Sequence, residues 1–280
     1  MAIANLKDLE EWFYDVGIEE SAMNQTGAYI PDGTRTIQAV TIGATRCYKK
    51  YDDKVQGTLF CFNGMRDKIA ADLAQIVCVN IPPALLWKNA HDIGCVQQEP
   101  PHDQLHQTLA LFLQVNQAAG NPKPELVDSL ARCYQPENYL FDLWVGNRDR
   151  FGNPKNTLIA ETATGLTFYL IDFDNSMGHR ERPWTDDRHQ EIGFNRDDPP
   201  VPQFFAKDPR FLESFLKDAD RIQRNINLAE DGLISEICGR CGEYYESSDA
   251  IDTASVIASG LIFRKQHVME WARKLIASED

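Results

Sequence analysis

The chain has 280 residues, enough for one large domain or two modest lobes around a real core. Hydrophobic residues make up 43% and charged residues 25%, an ordinary globular balance, and no apolar run approaches the ~20 residues that span a bilayer. With 42 acidic against 28 basic residues the formal charge is -14, which argues against non-specific affinity for nucleic acid or an anionic membrane, though a local basic cleft for an anionic ligand is compatible with it.

From the N-terminus, MAIANLKDLEEWFYDVG lacks the layout of a signal peptide and predicts a short helix over 5–16, with Leu6, Leu9, Phe13 and Val16 on one face. Residues 25–63 turn to Thr, Ile, Val and Tyr, and TIQAVTIGA and GTLFCF read as strands. RDKIAADLAQIVCV at 66–79 returns to helical spacing, and IPPALLW follows as a Pro-stopped turn and a further apolar stretch. The polar, Pro-containing CVQQEPPHDQ at 95–104 marks a lobe boundary. Beyond it, 104–118 and 137–146 are helical in pattern, NTLIAE and TFYLIDF form strands around an ATG turn, and 178–203 reads as an irregular loop. From 208 onward the pattern is helical. A small strand-rich part followed by a larger helical part carrying a hairpin is a two-lobed α+β arrangement, divided as 1–97 and 98–280. The seven cysteines, odd in number and scattered, fit reduced thiols in a cytoplasmic protein.

The richest segment runs from 140 to 179. An apolar helical run ends at Gly146, a polar loop extends from Asn147 to Asn156, and a hairpin follows whose second strand ends in Ile171-Asp172. Phosphoryl transfer from ATP needs an acidic group near the acceptor hydroxyl and oxygen ligands that hold Mg2+ against the phosphates. A carboxylate and a carboxamide on one loop, with a second carboxylate at the end of the next strand, supply those roles. Asp149 would orient or deprotonate the acceptor, and Asn156 (or Asn153) with Asp172 would bind metal. Arg150 is grouped with Asp149 in the catalytic loop, either bracing it against an acidic neighbour or standing as a surface charge. Asp174 reads more simply as a solvated strand-end residue than as a metal ligand.

The run N-x-D-R followed by Asn, and then by a strand ending in I-D, resembles the catalytic and metal-binding loops of HipA-like kinases. It is similar, more distantly, to the phosphoinositide lipid kinases. RDKIAADLAQIVCVNIPP at 66–83 looks like the family's small-lobe helix and the turn after it, and LIFRKQHVMEWARKL is compatible with its helical tail. In that family an acidic residue on the helix pairs with a strand lysine that grips the α- and β-phosphates, and Asp67 is the nearest match. No lysine stands inside GTLFCF, where it is expected. Lys49, Lys50 and Lys54 lie nearby, and of these the resemblance points to Lys54. Asn153 and Asn156 follow Asp149 by four and seven residues, a departure from the common family spacing. Asn156 directly precedes the strand TLI, as the family's metal-binding Asn does, and is preferred. The resemblance implies a protein-kinase-like fold and transfer of the γ-phosphate of ATP, with Mg2+, to a serine or threonine hydroxyl of a protein substrate. The alternative is a catalytically silent pseudokinase serving as a nucleotide-binding or regulatory module, drawn from the missing strand lysine and the altered Asn spacing. Neither a membrane nor direct nucleic-acid binding is expected.

Other motifs read plainly. Cys238-Gly-Arg-Cys241 is half of a zinc site with no second pair, and so two half-buried thiols. His102 and His106 have a helical metal-ligand spacing but flank a helix start beside two prolines, where a solvated turn is the simpler reading. Gly27, Gly33 and Gly43 are available for a phosphate-covering loop, yet none forms GxGxxG. No G-x-S-x-G motif supports a Ser/His/Asp hydrolase.

Overall fold

The computed structural model describes residues 15–32, 35–55, 59–102, 106–118, 130, 133–150, 152–163, 165–178, 184, 194 and 209–276. Most of the helix expected over 5–16, Gly33, and nearly all of the loop expected over 178–203 lie outside the described residues.

In chain order the first strands are β1 (Gly17–Glu19), β2 (Met23–Asp32), β3 (Arg35–Ile42) and β4 (Thr45–Tyr51), then the short ribbon of β5 (Lys54–Val55) and β6 (Leu59–Phe60). Helix α1 (Asn63–Val77) follows, then β7 (Ala84–Lys88) and β8 (Ile93–Gln98). Six of these strands form one sheet in the order β1-β7-β8-β4-β3-β2, with β1 parallel to β7 and the other pairs antiparallel. GTLFCF contributes only the two residues of β6, which pair with β5, so it is not the central strand its composition suggests.

Alternation along the strands divides the sheet into two faces. In β7, Ala84 and Leu86 join the main core with α1, whereas Leu85 and Trp87 pack with Val40, Cys47 and Val96 on the opposite side. A strand buried on both faces loses the period-2 signature, which is why ALLW reads only as an apolar stretch. Helix α1 is buried along almost its whole circumference, from Asn63 through Ala74. It has to enclose its own charges: Lys68 Nζ lies 2.8 Å from Asp72 Oδ1, one turn on.

After the sheet come β9 (His106–Thr108), α2 (Leu109–Ala118), α3 (Pro136–Val145), β10 (Thr157–Thr162) and β11 (Gly165–Leu170). The hairpin expected at 157–170 is present, and β9 adds to it, giving the order β11-β10-β9. That pairing displaces the helix start expected at 104. Helix α2 begins at Leu109, where Thr108 Oγ1 accepts the Leu111 amide at 3.2 Å as a cap. His106 is therefore on a strand, and the helical spacing of His102 and His106 does not form.

Three helices complete the chain: α4 (Pro209–Asn227), α5 (Asp231–Tyr244) and α6 (Ser248–Ile276). Helices α4 and α6 pack with α3, whose Leu140, Phe141, Leu143, Trp144 and Val145 are buried, and α5 packs on α6 and α1. Arg264 of α6 donates to the Leu143 and Trp144 carbonyls at 2.6 and 2.7 Å, a cation on the open carbonyls at the C-terminal end of α3. Trp144 returns the bond through its indole N–H to the Leu261 carbonyl at 2.8 Å. Cys238 and Cys241 are buried in α5 with free thiols, and burial pushes the Cys241 thiol up to about 12, a poor start for a thiolate ligand. Among the described residues no helix is long and apolar enough to cross a membrane.

Candidate active site

Lys50 is the penultimate residue of β4, is buried, and pairs across the sheet with Cys95 of β8. Its ammonium lies 3.2 Å from Asp67 Oδ2 and 3.3 Å from Asp172 Oδ1. Burial opposes the charge, but the Asp172 and Asp67 carboxylates outweigh it and hold the ammonium above the ordinary lysine range. Lys49 points the other way, with its ammonium 3.7 Å from the Trp87 ring centroid and paired with Glu20. Lys54 lies on the backbone of β5, and its side chain is outside the described residues. The lysine seen to pair with Asp67 is Lys50, in a strand the sequence reading had not singled out.

Asp67 holds two elements with one carboxylate. Its Oδ1 accepts the Phe173 amide at 2.7 Å while Oδ2 faces Lys50. Arg66, one residue earlier, donates to the Gly178 carbonyl at 3.0 Å and to the Cys61 carbonyl at 2.6 Å. The start of α1 thus grips the chain at Phe173 and again at Gly178. Asp172 has a φ of +61°, a left-handed conformation that Asp tolerates better than most residues. Asp174 is buried, contrary to the solvated reading.

The catalytic-loop candidate begins where α3 ends at Gly146, whose φ of +69° suits a residue without Cβ. Asn147 Oδ1 accepts the Asp149 amide at 3.1 Å and bends the loop back. The Asp149 Oδ2 atom then accepts three carboxamides: Asn156 at 2.9 Å, Asn153 at 3.2 Å and Asn175 at 3.5 Å. A 3-10 turn at Pro154–Asn156 takes up the longer spacing and brings Asn156 onto Asp149.

Arg150 has no exposed surface, so it is not a surface charge. It forms a fork on Asp142, with Nε to Oδ2 at 2.8 Å and Nη2 to Oδ1 at 3.2 Å. Its Nη1 donates to the Asn156 carbonyl and, at 3.1 Å, to the Ile171 carbonyl. Burial opposes this charge too, but Asp142 overcomes it and holds the guanidinium above its usual range. Arg150 therefore ties α3, the loop and the end of the hairpin together, which is the bracing reading of the two expected for it.

The structure brings Asp67 and Asp172 together on Lys50, and Asn153 and Asn156 together on Asp149. Sequence reasoning missed Asp142, although a lone acid in the apolar run LFDLWV is a signal for a buried partner. Asn175 and Asp52 had no such signal. Asp172 and the Oδ1 of Asn156, whose Nδ2 is engaged by Asp149, are oxygen donors suited to a hard divalent cation. Lys50 is a point charge suited to phosphate. Among the described residues no three His, Cys, Asp or Glu side chains cluster as a metal site; this donor set relies on a carboxamide.

No family model and no curated protein sequence matches the chain. Among solved structures it is similar to the Helicobacter pylori proinflammatory kinase CtkA, with a TM-score of 0.58 at 12% identity over 94% of this chain and 100% of that one. The HipA of Shewanella oneidensis MR-1, solved with HipB and operator DNA, aligns at 14% identity and a TM-score of 0.47 over 92% of this chain and 66% of that one. The likeness is one of fold: the chain has the two-lobed α+β architecture of a kinase.

Proposed function

We propose that this chain is an ATP- and Mg2+-dependent phosphotransferase that moves the γ-phosphoryl group to a serine or threonine hydroxyl of a protein substrate. The observation that carries the reading is the convergence of Lys50, Asp67 and Asp172 beside a loop whose Asp149 is held by three carboxamides. Bound ATP and Mg2+ would supply the transferable phosphoryl group and neutralise its charge. Lys50, fixed by Asp67, would bind phosphate oxygens; Asp172 and Asn156 would hold the cation; Asp149 would orient the acceptor hydroxyl and receive its proton. Arg150 keeps the loop in place. The small lobe, 1–97, and the large lobe, 98–280, would share the nucleotide between them. The odd, scattered set of seven cysteines supports a cytoplasmic setting.

The silent-module alternative drew on a missing strand lysine and on the Asn spacing. Lys50 on β4 and the 3-10 turn that delivers Asn156 to Asp149 weaken both supports.

The test is incubation with γ-labelled ATP and Mg2+, with and without cell extract, beside Asp149→Ala and Asp172→Ala. Label on the protein or on an extract protein, lost in both variants, is expected. Nucleotide binding without transfer, seen as thermal stabilisation worth ~2.7 kcal/mol at a hundredfold excess over Kd, would favour the silent module.

A further inference from the structure

We infer that Tyr245 is a positioning residue for the Lys50–Asp67 pair, acting through Asp52 and the first turn of α1; this rests on the phosphotransferase reading.

Helix α1 starts without a cap of its own. Phe62, at the N-cap, is left-handed and offers no side-chain acceptor. Its open amides are taken from elsewhere: Gly64 N donates to Asp52 Oδ1 at 2.7 Å, and Met65 N to the Tyr245 hydroxyl at 3.2 Å. The same hydroxyl donates to Asp52 Oδ2 at 2.7 Å, closing a ring of three bonds. Burial, then the Asp52 carboxylate, keeps the phenol protonated, so the donor is always present. The ring itself packs edge-on against Phe62, with centroids 5.3 Å apart.

The position of this latch gives it its consequence. Asp52 lies two residues beyond Lys50 on the same segment, and Gly64 lies three residues before Asp67 on the same turn. A Cβ at Gly64 would stand 2.8 Å from the Gly94 carbonyl carbon and 3.0 Å from Asp52 Oδ1, so strand and helix meet with no spare room. A hydroxyl from just beyond α5 therefore locks the segment bearing Lys50 to the turn bearing Asp67, and through Asp67 Oδ1 to the Phe173 amide. Displacements of an ångström at such a pair are costly to transfer chemistry.

Tyr244 provides the control. It stands at the same helix end and its hydroxyl also reaches the sheet, but it donates to the Ile18 carbonyl of β1 at 2.8 Å. Wild type, Tyr245→Phe and Tyr244→Phe are compared by steady-state phosphotransfer and by residue-resolved amide exchange. In Tyr245→Phe, kcat falls about tenfold, the scale of one bond to a charged group, while the KM for ATP moves less than about threefold. The Phe173 amide, whose acceptor is Asp67 Oδ1, exchanges faster, while α5 and α6 keep their protection. Asp52→Ala reproduces this pattern, and Asp52→Asn, which keeps the Gly64 acceptor, restores part of it. Tyr244→Phe does neither.

Unchanged Phe173 exchange in Tyr245→Phe, or an equal change in Tyr244→Phe, overturns the positioning role whether or not the wild type transfers phosphate. So does an unaltered kcat in Tyr245→Phe beside an active wild type. A wild type that transfers nothing, with Phe173 exchange still raised in Tyr245→Phe, removes the phosphotransferase reading and leaves the latch standing.

Discussion

Lys50 Nζ lies 3.2 Å from Asp67 Oδ2, joining the strand β4 to the buried helix α1 across the sheet face. Both groups are nearly without solvent, so neither tolerates the loss of the other, and the pair fixes where the Lys50 ammonium stands.

The neighbouring lysines give a sharp contrast. Lys50→Met strips two carboxylates of their cation and should lower phosphotransfer by at least about a hundredfold and stability by about 3 kcal/mol. Lys49→Met, on the opposite face, should keep transfer within about threefold while losing about 1–2 kcal/mol of stability with its aromatic and carboxylate contacts. Equal activity losses in the two variants would refute the assignment of Lys50.

The two loop asparagines separate by metal dependence. Asn156→Ala should raise the Mg2+ concentration for half-maximal transfer by about tenfold or more, because it removes an oxygen ligand. Asn153→Ala removes only a 3.2 Å amide bond to Asp149 and the acceptor of the Lys155 amide, and should shift it less than about threefold. A Mg2+ titration of both variants decides between them.

Arg150 and Asp142 form a fully buried pair. Arg150→Met should cost about 3–5 kcal/mol in urea unfolding, because Asp142 is left in the core without its cation, where burial already raises its carboxyl. Adding Asp142→Leu should recover part of that cost. Recovery stays incomplete because the Asn156 and Ile171 carbonyls still lack their donor.

Asp72 makes stability depend on pH. Burial lifts its carboxyl from 3.8 to about 7, against the opposing pull of Lys68. A folded-state value above the unfolded one means that its contribution is full below about pH 4, shrinks as pH rises toward 7, and is flat above, with a slope of at most ~1.4 kcal/mol per pH unit. The stability difference between wild type and Asp72→Asn, measured by urea melts from pH 5 to 8, should fall up to about 7 and then level off. A difference independent of pH would show that Asp72 keeps its ordinary carboxylate value.

Local patterns were legible. The 157–170 hairpin follows from apolar alternation around a short turn, and the helix over 66–79 from a spacing that survives complete burial. The loop from Asn147 to Asn156, flanked by the helix before it and Asp172 after the hairpin, was readable because its groups are close in the chain. Strand β4 was not: TRCYKKY places lysines on both faces, each neutralised by a distant acid, and binary patterning assigns such positions to solvent. That hid the lysine that pairs with Asp67 and left Lys54, next to the wrong strand, as the choice over Lys50.

By itself, then, the sequence determined the helix near 66–79, the hairpin and the local loop chemistry, because hydrogen bonding and apolar periodicity within a dozen residues suffice for them. The tertiary structure alone decided which lysine faces Asp67, since a one-residue step along a strand reverses the side chain. It alone showed that Arg150 is spent inside the core and that Tyr245 reaches Asp52 across the fold. Those outcomes depend on partners far away in the chain, whose charges meet only once the sheet, α1 and the C-terminal helices have packed.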